Sequence, residues 1–291
     1  MNKEKIKSLI YTFGKALGFL GLIFVFYKLS KEFTLSSFVE KFSDFKTIIV
    51  PLIALNFLSS AIGIYVWHLI LKSYSKKDFK YLLSYYYFAK TEISKYLPGN
   101  IFHFVGRQAL ASKLNLSQKE MAKVSLLFML TIAIATVIAA TLFTLPTDTK
   151  AIIKLALIVA SLITIGVLIY LFPLIKKLTK VKMALIITLS ISLQGVLLAI
   201  IVAWQLQNLT LNTFLILSAI YILSWLIGFV TPGASGGLGV REGAFIAIAK
   251  FIHLDISSEI ILFSIFFVRF INIFTDIIMY LSTFAIKSVE K

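Results

Sequence analysis

The chain of 291 residues contains no cysteine. Disulfide bonds and thiolate-bound metal sites are therefore excluded, and cysteine usage says nothing about the redox state of the compartment. We expect neither a metal nor a cofactor.

Acidic residues and arginine are also scarce. The chain has 13 aspartates and glutamates against 29 lysines and arginines, of which only three are arginine. The resulting net charge of +16 is a feature of nucleic-acid-binding proteins. Lysines in the inner loops of a membrane protein explain it better, so we expect no nucleic-acid partner.

Polar sequence is scarce as well, since 59% of the residues are hydrophobic and the mean hydropathy is +0.94. Soluble domains have about 45–50% apolar residues. Apolar runs of about 20 residues, the length that crosses a bilayer, recur along the chain. The N-terminus resembles a signal peptide, but its apolar stretch is too long and no cleavage site follows. Six complete spans are predicted, at 8–29, 48–71, 120–145, 151–172, 182–205 and 258–285.

Two further apolar regions, 81–113 and 213–252, are interrupted by the motifs YLPGNIFHFVGR and TPGASGGLGVREG. In each motif an arginine follows the proline by nine residues, at Arg107 and Arg241. Proline and glycine interrupt helices. Each region is therefore predicted to form two half-length helices that enter the membrane and turn back. The residues of the breaks are Pro98, Gly99, Pro232, Gly233, Gly236, Gly237 and Gly239.

The distribution of lysine supports this arrangement. If the N-terminus is cytoplasmic, lysines accumulate in inner segments such as 72–80 and 176–182, while the outer side has only Lys31, Lys41, Lys46, Lys150 and Lys250. This is the positive-inside bias of membrane proteins. It requires each broken region to return to the side from which it entered. The prediction is a multi-pass protein of a bacterial or archaeal inner membrane with both termini cytoplasmic.

The two halves of the chain align at an offset of 134 residues. The shift places 48–71 on 182–205 and superposes the two Pro-Gly motifs. Each half has three full crossings, an odd number, so the second half is predicted to be inverted relative to the first. Such inverted repeats are typical of transporters with a site near the bilayer midplane. We therefore predict an all-α polytopic membrane protein with an inverted repeat, about six full spans and two re-entrant hairpins. It is one domain over 1–291, with halves near 1–147 and 148–291.

Charges in the apolar regions indicate where the site lies. Arg107 and Arg241 end the two motifs, and Arg269 lies inside the last span. Ionisable residues within a membrane are costly and mark functional sites by default. An alternative is that they form structural ion pairs, such as Arg269 with Asp276 two helical turns further along or with Glu242. Three acidic residues accompany the arginines in these regions, namely Glu92, Glu242 and Asp276. Lys90 and Lys95 are weaker candidates, because a lysine can extend its ammonium group to the membrane surface.

The breaks and the arginines together favour a phosphate group. A helix that restarts after a break presents free N–H groups and the positive end of its dipole, and an arginine beside them completes an anion site. Arg107, Arg241 and Arg269 are the predicted phosphate ligands. Glu92, Glu242 and Asp276 are predicted to pair with them or to bind a cationic headgroup.

KYLPGNIFHFVGR and PGASGGLGVREG also resemble the paired signatures of the lysylphosphatidylglycerol synthase transmembrane region, the flippase-like domain family. The resemblance covers nearly the whole chain. Full synthases of that family join this membrane domain to a soluble aminoacyl-transferase domain, which is not seen before the chain ends at Lys291. The resemblance therefore implies lipid translocation without catalysis, and by motif it makes Arg107, Arg241 and Glu242 cavity residues.

The expected function is a flippase for a phosphate-containing polar lipid similar to aminoacyl-phosphatidylglycerol. Its partners are a membrane phospholipid or lipid-linked substrate and a separate synthase, while the oligomeric state stays open. The first alternative is a flippase for a polyprenyl-phosphate or glycolipid in envelope biosynthesis. A less favoured one is an intramembrane serine hydrolase that uses Ser235 of GASGG, although such an enzyme needs a base within hydrogen-bond reach.

Two local patterns complete the predictions. SQKE, residues 117–120, is typical of a capping box at the start of a span. The aromatic run SYYYF, residues 84–88, is interpreted as part of an aromatic belt at the membrane surface.

Overall fold

The computed structural model describes residues 40, 42–75, 78, 80–96, 102–171, 177–231, 237 and 239–286. No strand occurs among these residues, which are almost entirely helical. The described helices are α1 (Ile49–Tyr74), α2 (Tyr81–Glu92), α3 (Phe102–Ala109), α4 (Gln118–Thr144), α5 (Ala151–Leu171), α6 (Lys177–Leu206), α7 (Leu211–Val230), α8 (Val240–Phe251) and α9 (Ser258–Ala285), with 3₁₀ turns at Ile93–Tyr96 and Ser112–Leu114.

Five of these helices, α1, α4, α6, α7 and α9, are long and apolar enough to cross a bilayer. The chain is therefore a helical, multi-pass membrane protein, as its composition predicts. Large apolar side chains also project outward from α5, among them Leu155, Leu162 and Ile163. An exposed apolar face of this kind is costly in water and ordinary in lipid. The predicted span 8–29 lies outside the described residues.

The two broken regions differ from each other. In 81–113, the short helices α2 and α3 lie on either side of residues 97–101, which are outside the described part, and this agrees with two half-length helices. In 213–252, α7 has 20 residues, or about 30 Å at 1.5 Å per residue, which suffices to cross the bilayer. The prediction of a half-length helix there is wrong, because no proline or glycine interrupts 211–227.

Helices α1 and α6 pack against each other in antiparallel orientation. Asn56 contacts Gln194, Ser59 contacts Ser190, and the Tyr65 hydroxyl accepts a hydrogen bond from Lys182. Thus the residue number rises along α1 while it falls along α6. At the crossing, the hydroxyl of Ser59 donates to the carbonyl of Ser190 at 2.9 Å, and that of Ser190 donates to the carbonyl of Ser59 at 2.8 Å.

The described helices other than α5 are arranged around this pair in matching positions, while α5 packs against α4 and has no described counterpart. Helix α1 packs against α2, α4 and α9, and α6 packs against α7, α9 and α4. Helix α2 also packs against α3 and α9, and α7 correspondingly against α8 and α4. Helix α3 contacts α4, and α8 contacts α9. Exchanging α1 with α6, α2 with α7, α3 with α8 and α4 with α9 converts this set of contacts into itself.

The aromatic run on α2 lies inside the bundle. Tyr85, Tyr86, Tyr87 and Phe88 are all buried, and the Tyr85 hydroxyl lies 2.8 Å from that of Ser282 on α9. The interpretation as an aromatic belt is therefore wrong, since α1 and α9 cover this short helix. The same packing holds the end of α2 at the centre of the protein.

The capping box at the start of α4 is confirmed. The Ser117 hydroxyl accepts the backbone N–H of Glu120, and the Glu120 carboxylate accepts the backbone N–H of Ser117 at 2.7 Å. These bonds satisfy N–H groups that have no partner within the helix. Helix α4 therefore begins where the sequence predicts.

The antiparallel crossing of α1 and α6 can be tested by cross-linking, because the chain has no native cysteine. We expect Ser59→Cys/Ser190→Cys to form a disulfide under mild oxidation, detected by gel mobility after proteolysis between the two sites. The matched control is Ser59→Cys/Leu189→Cys, since Leu189 is exposed on the other side of α6. Equal cross-linking of both pairs would contradict the packing.

A glycine on α6 sets how closely α7 approaches. A Cβ at Gly195 would lie 2.8 Å from the backbone carbonyl oxygen of Ser218, whereas one at Gly166 on α5 would have no atom within 4 Å. We expect Gly195→Ala to destabilise the fold by about 1–3 kcal/mol. Gly166→Ala should leave the melting temperature in detergent unchanged or raised. Equal melting temperatures for the two variants would refute the close approach.

Candidate functional site

The first cluster of buried charges lies where the first broken region meets α9. Nη2 of Arg107 on α3 lies 2.5 Å from Oε2 of Glu92, the last residue of α2. Nζ of Lys95 lies 3.1 Å from Oε1 of Glu92 and 2.7 Å from Oδ2 of Asp276 on α9. Two carboxylates thus neutralise two cations. Packing of α3 against α2 brings Glu92 and Arg107 together across 15 residues of sequence.

Aromatic rings surround the Arg107 guanidinium. Its Cζ lies 4.1 Å from the centroid of Phe88 and 5.8–6.0 Å from those of Trp67, Phe104 and Phe128. The side chain is only 3% exposed. The faces of aromatic rings attract cations, most strongly where water is excluded. These rings therefore hold the guanidinium in addition to its ion pair with Glu92.

The second cluster lies at the start of α8. The Glu242 carboxylate accepts the backbone N–H of Gly239 at 2.8 Å, and its Oε1 lies 2.7 Å from Nη2 of Arg269 on α9. Arg241 hydrogen-bonds the hydroxyl of Tyr221 on α7 and lies near Arg269. Two cations face one carboxylate here. Of the two pairings that the sequence leaves open for Arg269, the structure has the one with Glu242, whereas Asp276 pairs with Lys95.

A cavity of about 210 Å³ joins the first cluster to the centre of the bundle. Glu92, Lys95, Arg107 and Asp276 line it. Arg241, Glu242 and Arg269 are not among its described lining residues. Tyr221 connects the cavity to the second cluster, because it lines the cavity and also binds Arg241. The six charged residues predicted from the sequence thus form two clusters rather than one shared site.

Helix α9 contributes to both clusters. Arg269 and Asp276 are seven residues apart, or about 10 Å along the helix axis. Arg269 binds the second broken region through Glu242, and Asp276 binds the first through Lys95. A displacement of α9 therefore affects the charge pairs of both regions.

The wall of the cavity also carries a polar strip that the sequence reasoning missed. Gln194 on α6 donates to Asn56 at 2.6 Å and to Ser59 at 2.9 Å, and Asn56 donates to Thr275 on α9 at 2.9 Å. Ser190 extends the strip through its bonds with Ser59. The sequence did contain a signal for this strip, because each of the aligned spans 48–71 and 182–205 contains one of its amide side chains, Asn56 or Gln194. Lys95, which was expected to be only a weak candidate, belongs to the site as well.

Most of the predicted break residues lie outside the described part, namely Pro98, Gly99, Pro232, Gly233 and Gly236. Gly237 and Gly239 are described, with φ angles of +69° and +77°, which favour glycine. A Cβ at Gly237 would also lie 3.1 Å from the Cα of Gly228 on α7. These two glycines therefore allow the chain to turn closely past α7 into α8.

The serine that a hydrolase would use, Ser235, also lies outside the described residues. In the described part, the Oγ of Ser84 lies 2.8 Å from Nδ1 of His68. Ser84 is completely buried and does not line the cavity. This pair links α1 to α2 and offers no access to a substrate.

The ion pair of Glu242 with Arg269 should contribute to folding. Glu242→Gln leaves a buried cation without its counter-charge, which is expected to cost about 1–3 kcal/mol. The double variant Glu242→Gln/Arg269→Gln should recover part of the lost melting temperature in detergent. The exposed pair of Lys72 and Asp78 supplies the control, since Asp78→Asn should change little. A double variant that melts no higher than Glu242→Gln would rule out this contribution.

The arrangement as a whole can bind an anion by exchange, because each arginine has a carboxylate or phenol partner that a phosphate oxygen can replace. A comparison with models of known protein families matches none of them to this chain, and a comparison with curated proteins finds no relative.

Proposed function

We propose that the protein moves a phosphate-containing polar lipid between the two leaflets of a membrane. The observation that carries this proposal is Arg107, a permanently charged side chain held inside a membrane bundle on the wall of a cavity. Charges at such positions mark the pathways of substrates and ions. Guanidinium groups match the geometry of phosphate oxygens.

Exchange of partners gives the binding step a low cost. In the described state, Glu92 neutralises both Arg107 and Lys95. A phosphate that enters the cavity takes over the hydrogen bond of Arg107, and Glu92 keeps its pair with Lys95. The rings around Arg107 keep the guanidinium in position. The second cluster, with Arg241, Glu242 and Arg269, is the proposed counterpart that receives the phosphate on the other side.

The packing of the helices supports alternating access. The contact set that is unchanged by exchanging α1–α4 with α6–α9 agrees with an inverted repeat, and so does the antiparallel orientation of α1 and α6. In transporters of this kind, one half rocks against the other around a central site. The two broken regions would then open and close the cavity alternately. We propose an inner-membrane location with both termini cytoplasmic, on the lysine distribution.

The headgroup of the lipid has two candidate chemistries. An aminoacyl-phosphatidylglycerol-like lipid, which the family resemblance implies, has an amine that can bind Glu92 or Asp276 while its phosphate binds Arg107. A polyprenyl-phosphate or glycolipid has no such amine, and the aromatic and amide side chains of the cavity favour it. A separate synthase would supply either substrate, since the proposed function includes no catalytic step.

The test is lipid transport by the purified protein reconstituted into liposomes, followed with fluorescent phospholipids. We expect Arg107→Ala and Arg241→Ala each to lower the initial rate at least about tenfold, the effect of losing a charged hydrogen bond. The control is Lys250→Ala, which removes an exposed cation from α8 and should transport normally. Melting temperatures verify folding. Normal transport by both arginine variants would refute the proposal.

The lipids that co-purify with the protein provide a second measurement. Mass spectrometry should find a phosphate-containing lipid enriched in the parent protein and lost from Arg107→Ala/Arg241→Ala. An amine-bearing lipid would assign the aminoacyl class, and a polyprenyl or glycosyl lipid the alternative. Identical lipids in both samples would mean that the arginines have only a structural role.

A further inference from the structure

Three neutral polar side chains on the cavity wall form no side-chain hydrogen bond with the described residues. Ser60 on α1, Trp225 on α7 and Asn272 on α9 all line the cavity. Within the described part of the chain, their hydroxyl, indole N–H and carboxamide make no side-chain hydrogen bond, in contrast to the satisfied strip of Asn56 and Gln194. All three side chains are partly exposed on the cavity wall. Their hydrogen-bonding groups are therefore open to a ligand that enters the cavity.

The arrangement of these groups specifies which ligand they suit. A carboxamide and a hydroxyl each donate and accept, and the indole N–H donates. A sugar hydroxyl likewise does both, so several hydroxyls on one ring satisfy all three side chains. The ring of Trp225 stacks on that of Phe229 with centroids 4.9 Å apart and an angle of 11°. This stacked pair offers a flat, fixed surface for the apolar C–H face of a ring.

We propose that Ser60, Trp225 and Asn272 form a subsite for a cyclic polyol, a sugar or an inositol, joined to the phosphate bound at Arg107. The inference rests on the proposed function and names the headgroup class for the same cavity. A volume of about 210 Å³ is below the 300–1,000 Å³ typical of ligand pockets, so the cavity suits a single ring better than an oligosaccharide.

The charges of the cavity agree with a neutral ring. Both carboxylates that a cationic headgroup would need already pair with Lys95, at 3.1 Å for Glu92 and 2.7 Å for Asp276. An amine would therefore have to displace Lys95 from both. A hydroxylated ring leaves these pairs intact and needs only the neutral groups.

The test is competitive lipid binding by the full-length protein in detergent micelles, measured by native mass spectrometry. The probes are phosphatidylinositol, phosphatidylglycerol, phosphatidylethanolamine and phosphatidic acid with identical acyl chains. We expect phosphatidylinositol to bind about tenfold more tightly than the other three, which corresponds to one or two net hydrogen bonds. Equal binding, or a preference for the glycerol or ethanolamine headgroup, overturns the subsite.

Variants separate the ring from the phosphate. Asn272→Ala and Trp225→Leu should each remove most of the preference for inositol while binding of phosphatidic acid stays unchanged. Trp225→Phe keeps an aromatic face without the N–H and should retain part of the preference. The matched control, Trp204→Leu, changes an exposed tryptophan that does not line this cavity. Unchanged inositol preference in Asn272→Ala and Trp225→Leu would contradict the proposal.

Failure of the subsite and failure of the proposed function give different results. Arg107→Ala should lower binding of all four lipids, because each contains the phosphate. If binding of all four survives in Arg107→Ala, the phosphate site is wrong and the subsite proposal falls with it. If Arg107→Ala loses them all but the parent shows no inositol preference, only the subsite is refuted.

Discussion

The neutralisation of arginine inside a membrane is the constraint on which this structure depends. A bare cation in hydrocarbon is costly, so each buried arginine needs a carboxylate or a polar partner from another helix. Arg107 meets Glu92, Arg269 meets Glu242, and Arg241 meets Tyr221. All three contacts join residues of different helices. The charges thus fix how the short helices α3 and α8 lie against the long ones.

Many of the helices and the buried charges could be predicted from the sequence. The helices α1, α4, α5 and α9 begin and end within a few residues of the predicted spans, because long apolar runs leave few alternatives in a bilayer. The importance of the buried charges followed from the same cost. The partner of Arg269 could not be predicted, since the sequence left both Glu242 and Asp276 open. Only the packing of α8 against α9 selects Glu242.

The polar strip shows a different limit. Asn56 and Gln194 each lie in a mostly apolar run. A membrane span can accommodate a single amide side chain, so neither residue by itself indicates a site. Their significance appears only when α1, α6 and α9 converge and the amides bond to one another. Asn272 and Trp225 were missed for the same reason. Neutral polar residues give no signal in a charge count, although the proposed headgroup subsite consists of them.

The reciprocal bonds between Ser59 and Ser190 have a mechanical consequence. Each hydroxyl binds the backbone carbonyl of the opposite residue. At this point, α1 therefore contacts α6 in the same way as α6 contacts α1. When two bodies rotate against each other, the displacement is smallest on the axis and grows with distance from it. A pivot at this crossing would leave the serine pair unbroken. The ends of α1 and α6 would then make the largest excursions, at the two membrane surfaces where the proposed transport requires a headgroup to enter and leave.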